Sequence, residues 1–540
     1  MAERNENLLA GMIAARAERS PDLDVLTFEH LSLDGGATAD EVRTYADLQT
    51  NANTLAAELI RRGLGRGDRF ALMLRNHPEF VEAMIAASIS ATACVPIDPR
   101  TRGEKLAYML RNSGCKGVIC GDYCLEQVVA VRDQLDGCEW VLALESGDAG
   151  VPSLADFAAV DALGEAISKP AGTVDLRLES DTDLLQIIYT SGTTGDPKGV
   201  VFPNNRFAGY AILGHIFGYQ PDERPYTGLS LTHGNAQAVT LGPSLALGLR
   251  AVFSRRFTKS KIWDVCRAHG CTTFSLLGGM STAIYSEPLR DDDGDNPVRF
   301  VVSAGMPSAI WESFEKRFGV DVFEWYGAVE GGIAIKPVGQ GPIGSFGKGI
   351  AGLDMRILDE KDQECPPGVS GEICSRPAGG GEASVEYHDN QEASAKKTRG
   401  GWLRSGDIGH TDEEGWLHFD YRKGGGIRRN GDFINAGFVE KVIAEQDSVS
   451  DVFVYGVPAA SGAPGEKDVV AALVPANRAN FSAGALFARC REGLESNFVP
   501  SYLQVVDEIP KTASEKPQER FLLAEFAPDA ENVFMEDSRG

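Results

Sequence analysis

Between Tyr189 and Gly199 the chain reads Tyr189-Thr190-Ser191-Gly192-Thr193-Thr194-Gly195-Asp196-Pro197-Lys198-Gly199. Hydroxyls on glycine-spaced backbone suit a polyphosphate. Glycines let N–H groups approach phosphate oxygens closely, and the Ser/Thr side chains add donors. Lys198, fixed behind a proline, brings a mobile point charge for a phosphoryl oxygen. The stretch is not a Walker A loop, which needs Gly-x-x-x-x-Gly-Lys-Ser/Thr opening a helix. Gly195 and Lys198 are wrongly spaced for that, and Val200 to Phe202 continues as strand. Ser/Thr/Gly clusters are more often plain turns, so a flexible hairpin is the bland alternative. Its length, and the lysine behind Pro197, favour the anion.

Further along, Trp325-Tyr326-Gly327-Ala328-Val329-Glu330 combines a stacking face, a glycine that admits a planar ligand, and a carboxylate suited to Mg²⁺. An aromatic before glycine is ordinarily core. Arg404-Ser405-Gly406-Asp407 puts a carboxylate at a predicted strand end, where it suits the two hydroxyls of a ribose. A turn aspartate is the alternative there. After Arg422 come Lys423-Gly424-Gly425-Gly426, whose conformational freedom makes a natural hinge. The tail Ile509-Pro510-Lys511-Thr512-Ala513-Ser514-Glu515-Lys516 ends on a lysine that, read alone, is a solvated one.

The elements that must position these groups follow from pattern. Leu184 to Tyr189 is an apolar, β-branched run and predicts a buried strand feeding the phosphate loop. Before it, helix 44–63, strand 69–74, a helix from Pro78, strand 93–97, helix 102–113, strand 117–120, helix 122–134 and strand 140–144 alternate. After it come helix 204–217, strand 226–231, helix 236–247, strand 250–255, helix 259–269, strand 273–277, helix 280–287, strand 299–304 and strand 321–324. Such β–α alternation implies parallel sheets covered by helices. Residues 145–180 are looser. Beyond the glycines, strands 452–457 and 468–474 and helix 483–497 read as a small α/β domain.

At 540 residues the chain is too long for one ordinary core, so two or more domains are expected. A net charge of −25 argues against nucleic acid or an anionic membrane surface as partner. The longest apolar run, Ala83 to Ile97, is too short to span a bilayer, and no signal peptide is visible, so the expected location is cytoplasmic. Ten cysteines in so long a chain do not form a disulfide scaffold. Cys115, Cys120 and Cys124 lack metal spacing and read as buried thiols. Asp291 to Asp295 reads as a solvated acidic turn rather than a calcium site.

The phosphate loop resembles the signature loop of the adenylate-forming superfamily: acyl- and aryl-CoA synthetases, peptide-synthetase adenylation domains and luciferases. The resemblance runs from about Thr44 to Leu523 with its motifs in order. It implies an α/β fold with a large N-terminal domain of helix-covered, mostly parallel sheets (1–424, phosphate loop 189–199) and a smaller mobile C-terminal α+β domain (425–540), hinged at Gly425. It implies ATP, Mg²⁺ and coenzyme A, and a carboxylic acid that is first adenylated and then passed to a thiol. By position, Thr190, Ser191, Gly192, Thr193, Thr194, Gly195 and Lys198 would hold pyrophosphate. Gly305 and the segment Trp325 to Val329 would meet the nucleotide, Asp407 and Arg422 the ribose, and Glu330 with Thr190 the metal. Lys516 would be the catalytic lysine, and Gly431 to Ile434 would line a pantetheine tunnel after domain rotation.

The acid pocket would involve Phe207, His233, Leu277, Gly278, Gly279, Ala304, Gly305, Ala328 and Gly332, with His233 also near the chemistry. Many of these are small, which leaves volume for a bulky acid, although glycines also serve tight turns. Local similarity at 206–210 and 233–237 looks nearest to carnitine- and crotonobetaine-type CoA ligases, while Pro203-Asn204 replaces their usual Thr-His. Three further positions depart from the family pattern: Val329 for a hydroxyl, Gly425 for Asp or Lys, and Glu515 for glycine. The expected partners are small molecules only, and a homodimer is compatible with this. Two other classes fit parts of the pattern: a stand-alone adenylation enzyme loading a carrier protein or forming an amide, and a non-catalytic nucleotide-binding relative.

Overall fold

The computed structural model describes residues 5–132, 134–190, 196–423, 426–429, 432–434, 436–460, 466–512 and 515–536. Ser191, Gly192, Thr193, Thr194 and Gly195 of the phosphate loop, the hinge Gly425, and Gly431 lie outside the described residues. The chain forms two compact units. One comprises Met1–Thr258, Asp264–Ser275 and Ser384–Lys396, and the other Lys259–Trp263, Leu276–Ala383 and Lys397–Gly540.

In the first unit a seven-stranded sheet runs in the order Val160–Ala162, Trp140–Leu144, Cys115–Gly121, Arg69–Met73, Ala93–Pro96, Leu184–Thr190, Lys198–Pro203. All its pairings are parallel except the last. Its helices start and stop where local chemistry dictates. Tyr45–Arg61 opens on a capping box, Thr44 and Asp47 each satisfying the other's backbone N–H. Gly103–Ser113 ends on Gly114 at φ +62°. Pro78–Ser90 opens on proline and is buried almost all round, as an apolar helix between layers must be. Cys115, Cys120 and Cys124 are buried in the core beneath this sheet, and burial pushes the Cys115 thiol up to about 12.

A second group of strands pairs Asp24–Glu29 with Ala251–Ser254 in parallel and with Glu41–Thr44 antiparallel. Pro225–Thr227 joins the other side of Ala251–Ser254. The strand expected over 226–231 stops at Thr227. Buried Asn76 takes over the backbone beyond it, donating to Leu229 O at 2.9 Å and accepting from Leu231 N at 2.8 Å. The helix expected over 204–217 is two, Asn204–Ala208 and Tyr210–Ile216, divided at Gly209. The one expected over 236–247 begins as a π-helix, Ala236–Leu241, and continues as Gly242–Leu247. Pro243, lacking an N–H, cannot carry an ordinary helical ladder through that point.

In the second unit Phe300–Ala304 and Asp321–Ala328 pair in parallel. From there the sheet is antiparallel, through Gly331–Lys336, Ser345–Gly349, Leu417–Arg422, Leu403–Thr411, Gly371–Pro377 and Leu353–Leu358 in spatial order. Sequence pattern alone did not reveal this antiparallel run. The acidic turn is also less solvated than expected, because Asp293 is buried and takes Arg317 Nε at 2.7 Å.

The C-terminal part of the same unit builds a four-stranded sheet from Val449–Pro458, Lys467–Pro475, Tyr502–Val505 and Val533–Met535. Strand alternation divides its side chains between two cores. Val469, Ala471 and Leu473 pack with Val439, Ile443, Leu486 and Phe487. Val470 and Ala472 pack with Tyr455 and Leu522. The helix expected over 483–497 runs Ala483–Gly493, capped by Ser482.

Candidate functional site

In the first unit Leu184–Thr190 and Lys198–Pro203 pair antiparallel with Thr190 opposite Lys198. The phosphate loop is therefore the connection of a hairpin, with Thr190 and Lys198 as its two described posts. The Thr190 hydroxyl reaches Lys198 O at 3.5 Å. Both strands are anchored. Gln186 and Gln237 exchange amide hydrogen bonds at 2.7 and 3.2 Å, and the Tyr189 hydroxyl donates to Asn112 Oδ1 at 2.6 Å. Gly199 has no room for a side chain, because Ile187 Cγ2 lies 2.6 Å from where Cβ would stand.

Residues 386–388 cover the other edge of Lys198–Pro203, with Val201 N donating to Glu386 O at 2.9 Å and His388 N to Gly199 O at 2.7 Å. This brings buried Tyr387 to the lysine, whose Nζ stands 5.6 Å from the ring centre. A cation so placed is drawn to the ring face, which narrows where Lys198 points. Sequence reasoning gave Tyr387 no part in this. Of the expected acid-pocket residues in this unit, Phe207 is fully buried, edge-on to Tyr210 with centroids 5.6 Å apart. His233 is half-buried and its Nδ1 accepts from Asn235 N at 3.3 Å.

In the second unit the strand Asp321–Ala328 carries Trp325 to Ala328, and Val329 and Glu330 form the tip of a two-residue turn into Gly331–Lys336. Gly331 and Gly332 leave that tip at φ +134° and +78°, a path that favours glycine. Gly327 is a glycine for a local reason: the Trp325 indole lies 2.6 Å from where its Cβ would stand. The Tyr326 hydroxyl donates to Asp407 Oδ2 at 2.7 Å, and its ring packs on Phe346 at 4.7 Å.

Asp407 sits within the strand Leu403–Thr411, not at a strand end as the sequence suggested, and pairs in register with Arg422. Arg422 Nη1 lies 3.2 Å from Asp407 Oδ1, on a side chain that is half exposed. A narrow cleft beside these groups is lined by Tyr326, Ala328, Glu330, Gly332, Ser375, Lys397 and Ser405.

Lys516 is borne on a small turn closed by Thr512, which donates its N–H to Lys516 O at 2.8 Å and accepts from Lys516 N on Oγ1 at 3.2 Å. Protein crowding around the ammonium lowers its pKa and the like charge of Arg422 adds to this, while Asp407 and Glu330 pull it back up. The residue as a whole is solvent-exposed, so water screens these charges. Glu515, where the family has glycine, stands at φ +56°, the left-handed region that glycine enters without a Cβ penalty.

Several of the small residues expected in the acid pocket sit hard against neighbouring atoms. A Cβ on Gly278 would meet Gly305 O at 2.5 Å, one on Gly279 Glu515 O at 3.1 Å, and one on Gly332 Ser375 Oγ at 3.0 Å. Gly305 itself turns at φ +96°. Buried Glu324 holds that turn: its carboxylate accepts from Gly305 N and, at 3.3 and 3.2 Å, from Met306 N. Leu277 is buried and Ala304 half-buried beside it. Glu324 was not singled out in the sequence, although a lone acid in the run Val322 to Trp325 is its signal.

The donors suit the ligands expected of them. Mg²⁺ usually takes one or two carboxylates and completes its octahedron with water and substrate phosphate oxygens. A single carboxylate, Glu330, at a turn tip fits that habit, and among the described residues no cluster of three or more His, Cys, Asp or Glu offers an all-protein metal cage. Asp407, buried beside a phenol and a guanidinium, suits a sugar diol.

A family model described as "AMP-binding enzyme" matches residues 13–380, and one described as "AMP-binding enzyme C-terminal domain" matches residues 439–516. The medium/long-chain-fatty-acid–CoA ligase FadD17 of Mycobacterium marinum is 30% identical over 90% of this chain and 92% of its own. A crotonobetaine/carnitine–CoA ligase of Salmonella heidelberg is 26% identical over 88% and 91%. Among solved structures, that of the anthranilate CoA ligase AuaEII in complex with anthranoyl-AMP superposes with a TM-score of 0.82 at 19% identity, covering 97% of this chain and 98% of that one. A benzoate CoA ligase from Burkholderia xenovorans superposes with a TM-score of 0.77 at 20% identity, covering 96% and 100%. No helix among the described residues is long and apolar enough to cross a membrane.

Proposed function

We propose that this chain, which belongs to the AMP-binding enzyme family and is an AMP-forming acid–CoA ligase, builds an acyl-adenylate with Lys516, Asp407 and Lys198 and then passes the acyl group to coenzyme A. In the first half-reaction a carboxylate oxygen bonds to the α-phosphorus of ATP as the bond to the β-phosphate oxygen breaks, releasing pyrophosphate. Little covalent work falls to the protein, so its task is positioning and charge neutralisation.

Asp407 accepts the ribose hydroxyls, with Arg422 beside it. Thr190, residues 191–195 and Lys198 take the pyrophosphate end. Lys516 donates to the carboxylate and phosphate oxygens as charge gathers on them. Mg²⁺, which Glu330 would hold with Thr190 and the phosphates, supplies further charge neutralisation when bound. In the second half-reaction the thiolate sulfur attacks the acyl carbon, a C–S bond forms, and AMP leaves with the former anhydride oxygen.

The same proposal divides the chain into a large domain, 1–424, and a small one, 425–540, turning at Gly425. Rotation withdraws Lys516 and brings Gly431 to Ile434 into use. The observation that carries the reading is the buried Asp407 carboxylate, hydrogen-bonded by Tyr326 and flanked by Arg422, beside the cleft that Glu330 lines. The matching experiment is a panel of aliphatic and aryl carboxylic acids assayed for AMP release with and without CoA. Acid-dependent AMP release that turns over only with CoA is expected. Turnover with a carrier phosphopantetheine instead of CoA would move the acceptor to a protein. No acid-dependent pyrophosphate exchange at all would overturn the adenylation chemistry.

A further inference from the structure

The cleft in the second unit contains one cation that the scheme above leaves without a task. Lys397 ends the helix Gln391–Lys397 and its side chain is 18% exposed. Its ammonium donates to Ser405 O at 3.2 Å and stands 4.0 Å from Glu330 Oε1, beyond hydrogen-bond reach. An ammonium has three N–H donors, and among the described residues this one spends a single donor, on Ser405. The other carboxylates nearby are committed elsewhere. Asp407 takes Tyr326 at 2.7 Å and Arg422 at 3.2 Å, and Glu372 takes Gly406 N at 3.0 Å with Arg404 at 3.6 Å.

Position gives those spare donors a direction. Ser405 lies two residues before Asp407, the ribose carboxylate of the proposed scheme. Glu330 follows Val329 at the turn tip. The ammonium therefore joins the strand that would hold the sugar to the tip that would hold the metal, and a nucleotide's α-phosphate belongs between a ribose and a metal. At that tip Val329 has no hydroxyl to offer an oxygen. Glu330 balances part of the charge across 4.0 Å but takes none of the N–H groups, and a mostly buried ammonium with unspent donors favours an acceptor within hydrogen-bond reach.

We propose that Lys397 binds the α-phosphate of the nucleotide and supplies the contact that Val329 does not make. The proposal rests on the nucleotide reading above, and the experiment separates the two. The affinities of AMP and of adenosine are measured by calorimetry in chelator, without metal, on the full chain. Wild type prefers AMP, and Lys397→Met lowers that preference about tenfold, the size of one charge-assisted hydrogen bond, while adenosine binds as before. Lys397→Arg keeps most of the preference, and Val329→Thr on the Lys397→Met background restores part of it. Lys397→Gln serves as a second neutral variant, and adenosine affinity reports on its fold. Equal weakening of AMP and adenosine would make Lys397 a structural tie and overturn the proposal, as would an unchanged preference. Wild type binding neither ligand would remove the nucleotide reading and this inference with it.

Discussion

Glu324 offers the most direct energetic test of how the second unit is built. It is buried, and burial pushes its carboxyl up to about 8 even though the N–H groups of Gly305 and Met306 and the charge of Lys336 favour the ionised form. Lys336 is itself buried, with Nζ 4.4 Å from the Trp311 ring centre, and burial lowers its pKa while Glu324 raises it. In the unfolded chain Glu324 titrates near its ordinary value of 4.5. The folded state therefore holds the proton longer, and between those two values stability falls as pH rises. Below the lower value the contribution is fully present; above the upper one it is gone.

Integrated over that window the loss is about 5 kcal/mol. At about 2.1 cal/mol/K of unfolding entropy per residue, this is about 4 °C if all 540 residues melt together. It is more if the second unit melts alone. Glu324→Gln keeps an acceptor oxygen for the turn and removes the titration. Scanning calorimetry at pH 5 and pH 9 should show wild type losing those degrees relative to the variant. Parallel pH dependences for the two proteins would show that Glu324 does not carry the titration, and that the Gly305 turn is held by something other than a buried acid.

Lys516→Ala should cut adenylation by orders of magnitude, yet leave thioester formation from a supplied acyl-adenylate far less affected, as single-turnover assays of each half would read. Because the ammonium's pKa is lowered, the adenylation rate should also begin to fall at a pH below the ordinary lysine value as the proton is lost. Asp407→Asn keeps an acceptor for Tyr326 but removes the charge. It should raise the apparent ATP constant roughly ten- to a hundredfold, the loss of one charged acceptor bond of about 1.5–3 kcal/mol, while the acid's constant changes little. Glu515→Gly should relieve the left-handed backbone at φ +56°, raising the melting temperature with a gain of about 1 kcal/mol. An unchanged or lower melting temperature would show that Glu515 makes side-chain contacts worth more than the strain.

Residues near the chain's strongest local signals are legible in the sequence itself. The β-branched run Leu184 to Tyr189 is a buried strand because nothing in it competes with burial. Asp407 and Arg422, fifteen residues apart in sequence, face each other in register because a turn at 412–415 folds their strands together. The antiparallel run from Gly331 to Arg422 is not legible in the same way. Its strands are interrupted by glycine at bulges and bury partners such as Lys336 that break the expected apolar alternation. Tyr387 and Lys397 give no signal either, since Tyr387 meets a strand far away in sequence and Lys397 meets both nearby Ser405 and distant Glu330. A lysine at the end of the polar helix Gln391–Lys397 reads as solvated until the carbonyl of Ser405 and the carboxylate of Glu330 are placed beside it.

The glycines expected in the acid pocket show why residue size alone misleads about substrate. Read as missing side chains, Gly278, Gly279 and Gly332 suggest spare volume for a bulky acid. In the fold their missing Cβ atoms make room for Gly305 O, Glu515 O and Ser375 Oγ. Two of those three approaches are backbone to backbone, where no rotamer change can open space. On the proposed reading, room for an acyl chain is set by residues whose side chains can vary, and Leu277 and Ala304 adjoin Gly278 and Gly305 in sequence. Enlarging Gly278 would drive its Cβ into the Gly305 carbonyl and move the turn that Glu324 holds, whereas Ala304 already carries a Cβ.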